Sequence, residues 1–253
     1  MIAITRAVSP SLNRCELEFL DRHEIDIAKA QVQHRAYELC LRDLGVRVMS
    51  LPALPDLPDS MFVEDPAVAV DEVAVMTRMG AESRRGESES LAQALEQFRP
   101  LRWMRAPATL EGGDVLRMGR EIFVGQSARS NAEGIAQLAA ELGEFGYHVI
   151  PVEVRGCLHL KSAVTSIGER SVLANRAWVD EAAFARYEIV DVPVEEPRAA
   201  NVLTIGRSAM VPACFPLTAR LLESRVWDVR LLDISELMKA EAALTCSSIL
   251  LDD

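Results

Sequence analysis

Residues 115–125 read VLRMGREIFVG, with a short apolar segment on each side of the turn signal Gly119-Arg120. Apolar segments separated by two residues of this kind predict a β-hairpin. Three more stretches have the same form, and their turns begin at Asp71, Gly168 and Gly206. The four turns are spaced by 48, 49 and 38 residues. A period of this size is typical of a fold built from repeats.

Helical periodicity follows the hairpins. One predicted helix carries Leu91, Ala94, Leu95 and Phe98 on a single face, a second carries Ile135, Leu138, Ala139 and Leu142, and a third covers residues 216–225. Further apolar strands are predicted at residues 147–154, 187–194 and 226–233. The repeating unit is therefore ββαβ.

The two ends of the chain complete the pattern. The N-terminal MIAITRA and the helix after it lack a hairpin, and the C-terminal LTCSSILL lacks a partner. Pairing strand 2–6 with strand 244–250 makes a fifth copy and closes a ring, which removes exposed sheet edges. We predict an α/β fold, a five-bladed α/β propeller of five ββαβ repeats with pseudo-fivefold symmetry, in which residues 1–253 form a single domain.

Composition excludes several classes of protein. The chain has 253 residues, 49% of them hydrophobic, and a formal net charge of −11, which disfavours binding to nucleic acid. No signal peptide is recognisable and no apolar run approaches the roughly 20 residues that span a bilayer, so we expect a cytoplasmic protein without membrane contact. Its five cysteines contain no C-x-x-C pair, which argues for reduced thiols and against a structural zinc site.

A polar cluster precedes each hairpin turn within an otherwise apolar strand. The clusters contain Glu64 and Asp65, Glu111 and Asp114, His159, Asn201, and Cys246. Equivalent strands of a radial fold line its axis, so we expect these side chains to converge on one central cavity. Gly112 and Gly113 predict a close approach of the backbone beside it.

The residue types in this set are those of covalent catalysis. A thiolate is a nucleophile, an imidazole moves protons, and carboxylates orient the imidazole or hold a cation. Carboxylates near the thiol raise its pKa, and a cationic substrate reverses that effect. The sequence therefore favours a substrate with a guanidinium or a similar cation, which pairs well with carboxylates.

Seven motifs carry a family resemblance. In chain order they are DSMFVEDPAV, SRRGE, EGGDV, SARSNAEG, HLKS, AANVL and LTCSS. Together they resemble the dimethylarginine dimethylaminohydrolases, members of the pentein, or guanidino-group-modifying, superfamily. The resemblance implies a five-bladed propeller, no metal or other cofactor, and hydrolysis of asymmetric dimethylarginine to citrulline and dimethylamine.

The resemblance also assigns roles to residues. It implies Cys246 as the nucleophile that forms an S-alkylthiouronium intermediate, His159 as the acid and then the base, and Glu111 as the carboxylate that orients the histidine. It implies a substrate-binding set in which Asp65 holds the guanidinium, Glu64 and Asp59 support it, Arg84 and Arg129 bind the α-carboxylate, and Phe62 and Leu20 contribute. Arg129 precedes a predicted helix start, capped by Ser130 with Glu133, that itself favours an anion.

The chain departs from the family pattern in two places. The lid region has Phe19-Leu20-Asp21-Arg22 in place of the glycine-containing stretch of the mammalian enzymes, and Glu241-Ala242 stands where an Asp-Gly pair is common. The remaining histidines and cysteines have no motif around them, and we expect structural or surface roles for them; they are His23, His34 and His148, and Cys15, Cys40, Cys157 and Cys214.

Two alternatives remain open from the sequence. One is a related guanidino hydrolase or amidinotransferase that acts on arginine or another guanidino amino acid. The other is a non-catalytic member of the same fold that works as a binding surface. The oligomeric state also stays open, with a homodimer as one expectation.

Overall fold

The structure is a computed structural model that describes residues 1–252. Within these residues the strands are β1 (Ile2–Arg6), β2 (Arg47–Leu51), β3 (Ala67–Ala69), β4 (Ala74–Met76), β5 (Leu101–Trp103), β6 (Val115–Met118), β7 (Glu121–Gln126), β8 (His148–Glu153), β9 (Val164–Ser166), β10 (Ser171–Ala174), β11 (Glu188–Asp191), β12 (Leu203–Ile205), β13 (Ser208–Pro212), β14 (Asp228–Leu232) and β15 (Ile249–Leu251).

The α-helices are α1 (Ile27–Asp43), α2 (Ser88–Leu95), α3 (Ala132–Gly143), α4 (Leu160–Ala163), α5 (Pro216–Ser224) and α6 (Ser235–Met238). Short 3₁₀ helices cover Leu12–Arg14, Glu82–Glu87, Gly112–Asp114, Glu181–Phe184 and Thr245–Ser247. In the described part of the chain, no helix combines the length and the apolar character needed to cross a membrane.

The strands form five three-stranded sheets, here called blades 1 to 5. Blade 1 is β15-β1-β2, and blades 2 to 5 take β3–β5, β6–β8, β9–β11 and β12–β14 in chain order. In every blade the middle strand is antiparallel to the inner strand and parallel to the outer one. The quoted hairpin is β6–β7, with Val115 opposite Val124. The predicted ββαβ repeats are therefore confirmed.

The ends of the chain meet in blade 1. Ile2 of β1 lies opposite Leu251 of β15 in an antiparallel pair, and β1 runs parallel to β2. This confirms the fifth copy. Because one sheet contains both termini, we propose that the five blades form one domain.

Apolar side chains pack between adjacent blades. Within residues 1–252 there are five buried clusters, which join blades 1 and 2, 2 and 3, 3 and 4, 4 and 5, and 5 and 1. Each blade therefore shares a core with both of its neighbours. Burial of this apolar surface closes the ring and keeps the inner strands around a common axis.

Three details differ from the sequence expectations. Strand β15 covers Ile249–Leu251 and not residues 244–250, because Thr245–Ser247 form a 3₁₀ turn. Helix α3 is capped by Asn131, whose side chain accepts from the N–H of Gly134 at 2.8 Å, and not by Ser130 with Glu133. The fourth repeat replaces the α-helix by the short 3₁₀ helix Glu181–Phe184.

Candidate active site

The inner strands β3, β6, β9, β12 and β15 surround an axial channel lined by residues of all five blades. The predicted polar clusters lie at one end of this channel. They occupy the turns that lead into the inner strands and not the strands themselves, which corrects the sequence expectation. Glu111 precedes the 3₁₀ helix Gly112–Asp114, His159 precedes α4, and Cys246 lies within Thr245–Ser247.

One cavity collects most of the candidate residues. Of those predicted from the sequence, it is lined by Cys246, His159, Asp65, Asp59, Phe62, Arg84 and Arg129. Glu111 is fully buried and contacts the imidazole of His159 from behind. The convergence of residues from all along the chain is therefore present for this set.

His159 and Glu111 form a buried pair, with Nε2 of the imidazole 2.9 Å from Oε2 of the carboxylate. Burial on its own would raise the pKa of Glu111, but His159, Arg84 and Arg129 lower it to about 2. Burial would likewise lower the pKa of His159, but the carboxylates of Asp114, Asp65 and Glu111 raise it to about 9. The pair is therefore an imidazolium and a carboxylate near neutral pH.

Gly113 lets the backbone pass against the imidazole. A Cβ atom at this position would lie 2.5 Å from Nδ1 of His159 and 2.9 Å from Oδ1 of Asp65. The N–H of Gly113 donates to the same Oδ1 at 3.0 Å. The expected close approach of the backbone is confirmed, and it fixes the relative position of the imidazole and the Asp65 carboxylate.

Arg84 is buried beside Asp65, and its Nη1 donates to Oδ2 of Asp65 at 2.8 Å. Its Nε and Nη2 donate to the two carboxylate oxygens of Glu87 at 3.0 and 2.9 Å. Burial raises the pKa of Glu87 to about 7, although Arg84 opposes the shift. Sequence reasoning missed Glu87; its only signal was the spacing of three residues from Arg84 within one short helix.

Asn201 holds the turn that contains Cys246. Its Oδ1 accepts from the N–H of Thr245 at 3.1 Å, and its Nδ2 donates to the Thr245 hydroxyl at 3.0 Å. Burial, followed by the charges of Glu64 and Asp65, raises the pKa of Cys246 to about 12. The thiol of the free protein is therefore protonated at neutral pH, as the surrounding carboxylates predicted.

Besides Glu111, two predicted residues lie outside the cavity lining. Glu64 lines the axial channel, where its carboxylate pairs with Lys161 and accepts from the Thr245 hydroxyl at 2.9 Å. Leu20 lines a neighbouring pocket, with apolar neighbours that include Trp178 and Phe215. The turn before β3 directs Glu64 toward the axis, and its role in binding the substrate stays a prediction.

Residues 16–20, here called the lid segment, lie over the cavity. Glu16 lines it, and its N–H donates to both carboxylate oxygens of Asp59 at 3.3 and 3.1 Å. The carboxylate of Glu18 lies 3.2 Å from Nε of Arg129. Nη1 of Arg129 also lies 3.4 Å from Oε1 of Glu111, so this guanidinium links the lid segment to the His159–Glu111 pair.

Asp65, Glu111 and His159 could in principle hold a metal ion, since their ligand atoms lie within 4.8 Å of one another. Positive charge is already present there, because Arg84 pairs with Asp65 and Arg129 lies against Glu111. We interpret the cluster as an ion-pair network.

The histidines and cysteines without motifs do not line this cavity. His23 and His148 are exposed, and His34 and Cys15 are buried elsewhere in the fold. Cys157 is half-buried in the neighbouring pocket, and burial raises its pKa to about 12.

A ring of five ββαβ blades, with a cysteine, a histidine and carboxylates at one end of its axis, defines the pentein class of guanidino-group-modifying enzymes. The model of the family described as N,N dimethylarginine dimethylhydrolase, eukaryotic, matches residues 7–211. The chain belongs to the dimethylarginine dimethylaminohydrolase family.

Curated relatives and solved structures agree with this assignment. The N(G),N(G)-dimethylarginine dimethylaminohydrolase of Streptomyces coelicolor is 37% identical over 98% of this chain and 95% of its own. The enzyme of Pseudomonas aeruginosa is 35% identical over 88% of this chain and 89% of its own. A cysteine-to-serine variant of the P. aeruginosa enzyme, solved with citrulline, superposes with a TM-score of 0.93 at 33% identity, covering 98% of this chain and 97% of that one. The N-terminal domain of a cyanobacterial arginine dihydrolase, at 16% identity and a TM-score of 0.84, shares the fold.

Proposed function

We propose that this chain hydrolyses the guanidino group of N-methylated arginine, converting asymmetric dimethylarginine to citrulline and dimethylamine. The observation that carries the proposal is one cavity lined by Cys246 and His159, with Nε2 of His159 2.9 Å from Glu111. The family supports the choice of substrate, because the curated relatives from Streptomyces coelicolor and Pseudomonas aeruginosa are named for dimethylarginine.

Asp65 is the proposed partner of the substrate guanidinium. It lines the cavity beside Cys246, and its charge is one of the causes that raise the pKa of the thiol. A bound guanidinium offsets that charge, so the thiol pKa falls when the substrate arrives. The thiol proton leaves to solvent, and the nucleophile is formed only when the substrate is in place.

The reaction then follows from the positions of these groups. The thiolate Sγ of Cys246 bonds to the guanidinium carbon, and the C–N bond to dimethylamine breaks as the His159 imidazolium donates a proton to the departing nitrogen. His159, now neutral, takes a proton from water as the water oxygen bonds to the thiouronium carbon. The C–S bond breaks and releases the thiolate, the second proton of the water leaves to solvent as the urea carbonyl forms, and citrulline departs with the imidazolium restored.

Glu111 stabilises the imidazolium through both steps. The contact between Nε2 and Glu111 holds the imidazolium in one orientation. A structure of a histidine-to-glycine variant of dimethylarginine dimethylaminohydrolase, with a TM-score of 0.94 to this chain at 33% identity, holds an adduct with S-methyl-L-thiocitrulline. That chemistry supports a covalent intermediate of the proposed kind.

Arg129 is the stronger candidate for the substrate α-carboxylate. Its guanidinium lines the cavity, and its partner on the lid segment is the partly exposed carboxylate of Glu18, which a substrate carboxylate can replace. The donors of Arg84 are directed to Asp65 and Glu87 instead. We also propose a cytoplasmic location, since a thiol nucleophile persists in a reducing compartment.

A substrate panel tests the proposal. We expect equal amounts of citrulline and dimethylamine from asymmetric dimethylarginine, a higher kcat/KM for methylated arginines than for arginine, and little turnover of agmatine, which lacks the α-carboxylate. Efficient release of ammonia from arginine, with no alkylamine from the methylated compounds, would instead establish an arginine hydrolase. A chain inert toward every guanidino compound would be a binding protein.

A further inference from the structure

The carboxylate of Glu241 accepts hydrogen bonds from three consecutive backbone N–H groups of the lid segment. The N–H of Glu18 lies 3.1 and 3.2 Å from its two oxygens, and those of Phe19 and Leu20 lie 2.5 and 2.6 Å from Oε1. Successive N–H groups that point at one anion form a strong anion-binding concavity. Here a side chain from the far end of the chain fills it.

These N–H groups belong to a bent segment outside the named helices and strands, so no regular backbone ladder satisfies them. The segment contains the exposed Phe19, and Leu17 is its apolar side chain that packs against the cluster between blades 5 and 1. A lid of this kind has little stability of its own. The contact with Glu241 is therefore a principal constraint on its position.

The backbone of Glu241 is itself unusual. Its φ is +57°, a left-handed backbone conformation that residues other than glycine and asparagine rarely adopt. Such strain persists where the surrounding structure determines the conformation. Glu241 lies in the loop between α6 and the 3₁₀ turn that holds Cys246, so the contact ties the lid directly to the nucleophile loop.

The contact also lies at the edge of the proposed substrate site. Glu241 and Ala242 line the cavity with Cys246, and Glu16 lines it from the lid segment. On the other side of the contact, Leu20 and Glu241 line the neighbouring apolar pocket. The contact therefore lies on the boundary between the two spaces and sets where the lid segment rests.

We propose that Glu241 is a positioning residue that latches the lid segment over the cavity, and that this latch places Glu18 on Arg129. When the substrate binds, its α-carboxylate takes the place of Glu18 on Arg129, and Glu241 holds the lid segment closed over Cys246, so loss of the latch lowers kcat/KM. The catalytic consequence rests on the function proposed above; the latch itself does not.

Amide hydrogen exchange on the unliganded protein tests the latch without reference to activity. In Glu241→Ala the three N–H groups lose their acceptor, and we expect exchange at residues 18–20 to accelerate by about tenfold or more. Glu241→Gln keeps one acceptor oxygen and should give a smaller acceleration. Glu223→Ala, at an exposed glutamate of α5, is the matched control and should leave residues 18–20 unchanged.

Chemical rescue distinguishes the latch from a general structural role. Formate supplies a free carboxylate to the vacated N–H groups, so it should slow exchange at residues 18–20 in Glu241→Ala and raise its reduced kcat/KM toward that of the wild type. Chloride at the same ionic strength should do neither.

Unchanged exchange in Glu241→Ala would overturn the proposal. Faster exchange with wild-type kcat/KM would overturn the positioning role. If the wild type is inactive on methylated arginine, the proposed function fails, and the exchange result still decides the latch.

Discussion

Nη1 of Arg84 lies 2.8 Å from Oδ2 of Asp65 in an ion pair that is almost completely buried. On its other side the same guanidinium makes a two-point contact with Glu87. We therefore expect Arg84 to influence the guanidinium end of the proposed substrate, through the position and charge of Asp65. Its assignment to the α-carboxylate, made from the family resemblance, stays a prediction.

Replacement of Arg84 should destabilise the protein strongly. Arg84→Met leaves two buried carboxylates without their partner, and breaking a buried pair in this way costs about 3–5 kcal/mol of unfolding free energy. Arg85→Met is the control, because Arg85 pairs with the exposed Glu82 and such pairs contribute about 0–1 kcal/mol. Urea denaturation measures both. Equal losses in the two variants would contradict the buried network.

Replacement of Arg129 should change substrate selectivity. Arg129→Ala removes the proposed partner of the α-carboxylate, and loss of a buried charged contact costs about 2–5 kcal/mol, so kcat/KM for dimethylarginine should fall by about 30-fold or more. Turnover of agmatine, however slow, should change much less, because agmatine has no carboxylate to lose. The ratio of the two kcat/KM values is the measurement. An equal fall in kcat/KM for both compounds would show that Arg129 does not recognise the α-carboxylate.

Cys246 should ionise only at high pH in the free protein. Its pKa is raised to about 12, so the thiolate absorbance that is present in wild type and absent from Cys246→Ser should appear only in strongly alkaline solution. A cationic guanidino ligand should shift its appearance to lower pH. Cys246→Ser should fold normally and lack turnover. Mass spectrometry of quenched wild-type reactions should show an adduct on Cys246, and an adduct on Cys157 or Cys214 would contradict the assignment.

The His159–Glu111 pair should titrate far from the ordinary values. We expect an NMR titration of His159 to give a pKa of about 9, and Glu111→Gln to lower it, because one of the three carboxylates that raise it is removed. The imidazolium stabilises the fold fully below its ordinary pKa of 6.5, and this contribution is lost as the pH rises through about 9.

The sign is opposite for the carboxylate. The ionised Glu111 carboxylate stabilises the fold fully above its ordinary pKa of 4.5, and this stabilisation is lost as the pH falls through about 2. The difference in unfolding free energy between wild type and Glu111→Gln should therefore be largest between pH 4.5 and pH 6.5 and should shrink as the pH rises through about 9. A difference that stays constant across this range would argue against the charged pair.

Gly113 offers a test of imidazole placement. In Gly113→Ala the new Cβ would lie 2.5 Å from Nδ1 of His159, so the ring must move. Displacement of a catalytic group by about 1 Å can lower the rate by about 100-fold, and we expect a fall of that order in kcat. The control is Gly143→Ala in α3, where a Cβ meets nothing within 4 Å. That variant should keep wild-type kcat and gain about 0.5–1 kcal/mol of stability.

Much of the fold was predictable because its signals are local. The Gly-centred turns at 119, 168 and 206 adopt positive φ and connect paired strands, as two-residue hairpin signals predict. The regular spacing of these hairpins gave the repeat, and the unpaired ends of the chain gave the fifth blade. Burial between neighbouring blades then leaves few topologies other than a ring.

The membership of the cavity was also predictable in part, since residues at equivalent places in a radial repeat converge on its axis. Equivalent positions in the repeat do not specify, however, which way each side chain points. Glu64 and Asp65 are neighbours in sequence, yet Asp65 lines the cavity and Glu64 lines the channel with Lys161. The backbone dihedral angles of one turn decide that difference, and hydrophobic periodicity carries no information about them.

By itself, the sequence of this protein determined the repeats, the ring and the reactive residue types, because strand and turn preferences act over a few neighbouring residues. Only the tertiary structure decided that Glu87 pairs with Arg84, that Glu18 contacts Arg129, and that Glu241 holds the lid segment. Glu18 and Glu241 are 223 residues apart in the chain. Contacts of this kind arise when the ring closes and leaves charged groups and N–H donors that must find partners, and no local pattern in the sequence encodes which partners they find.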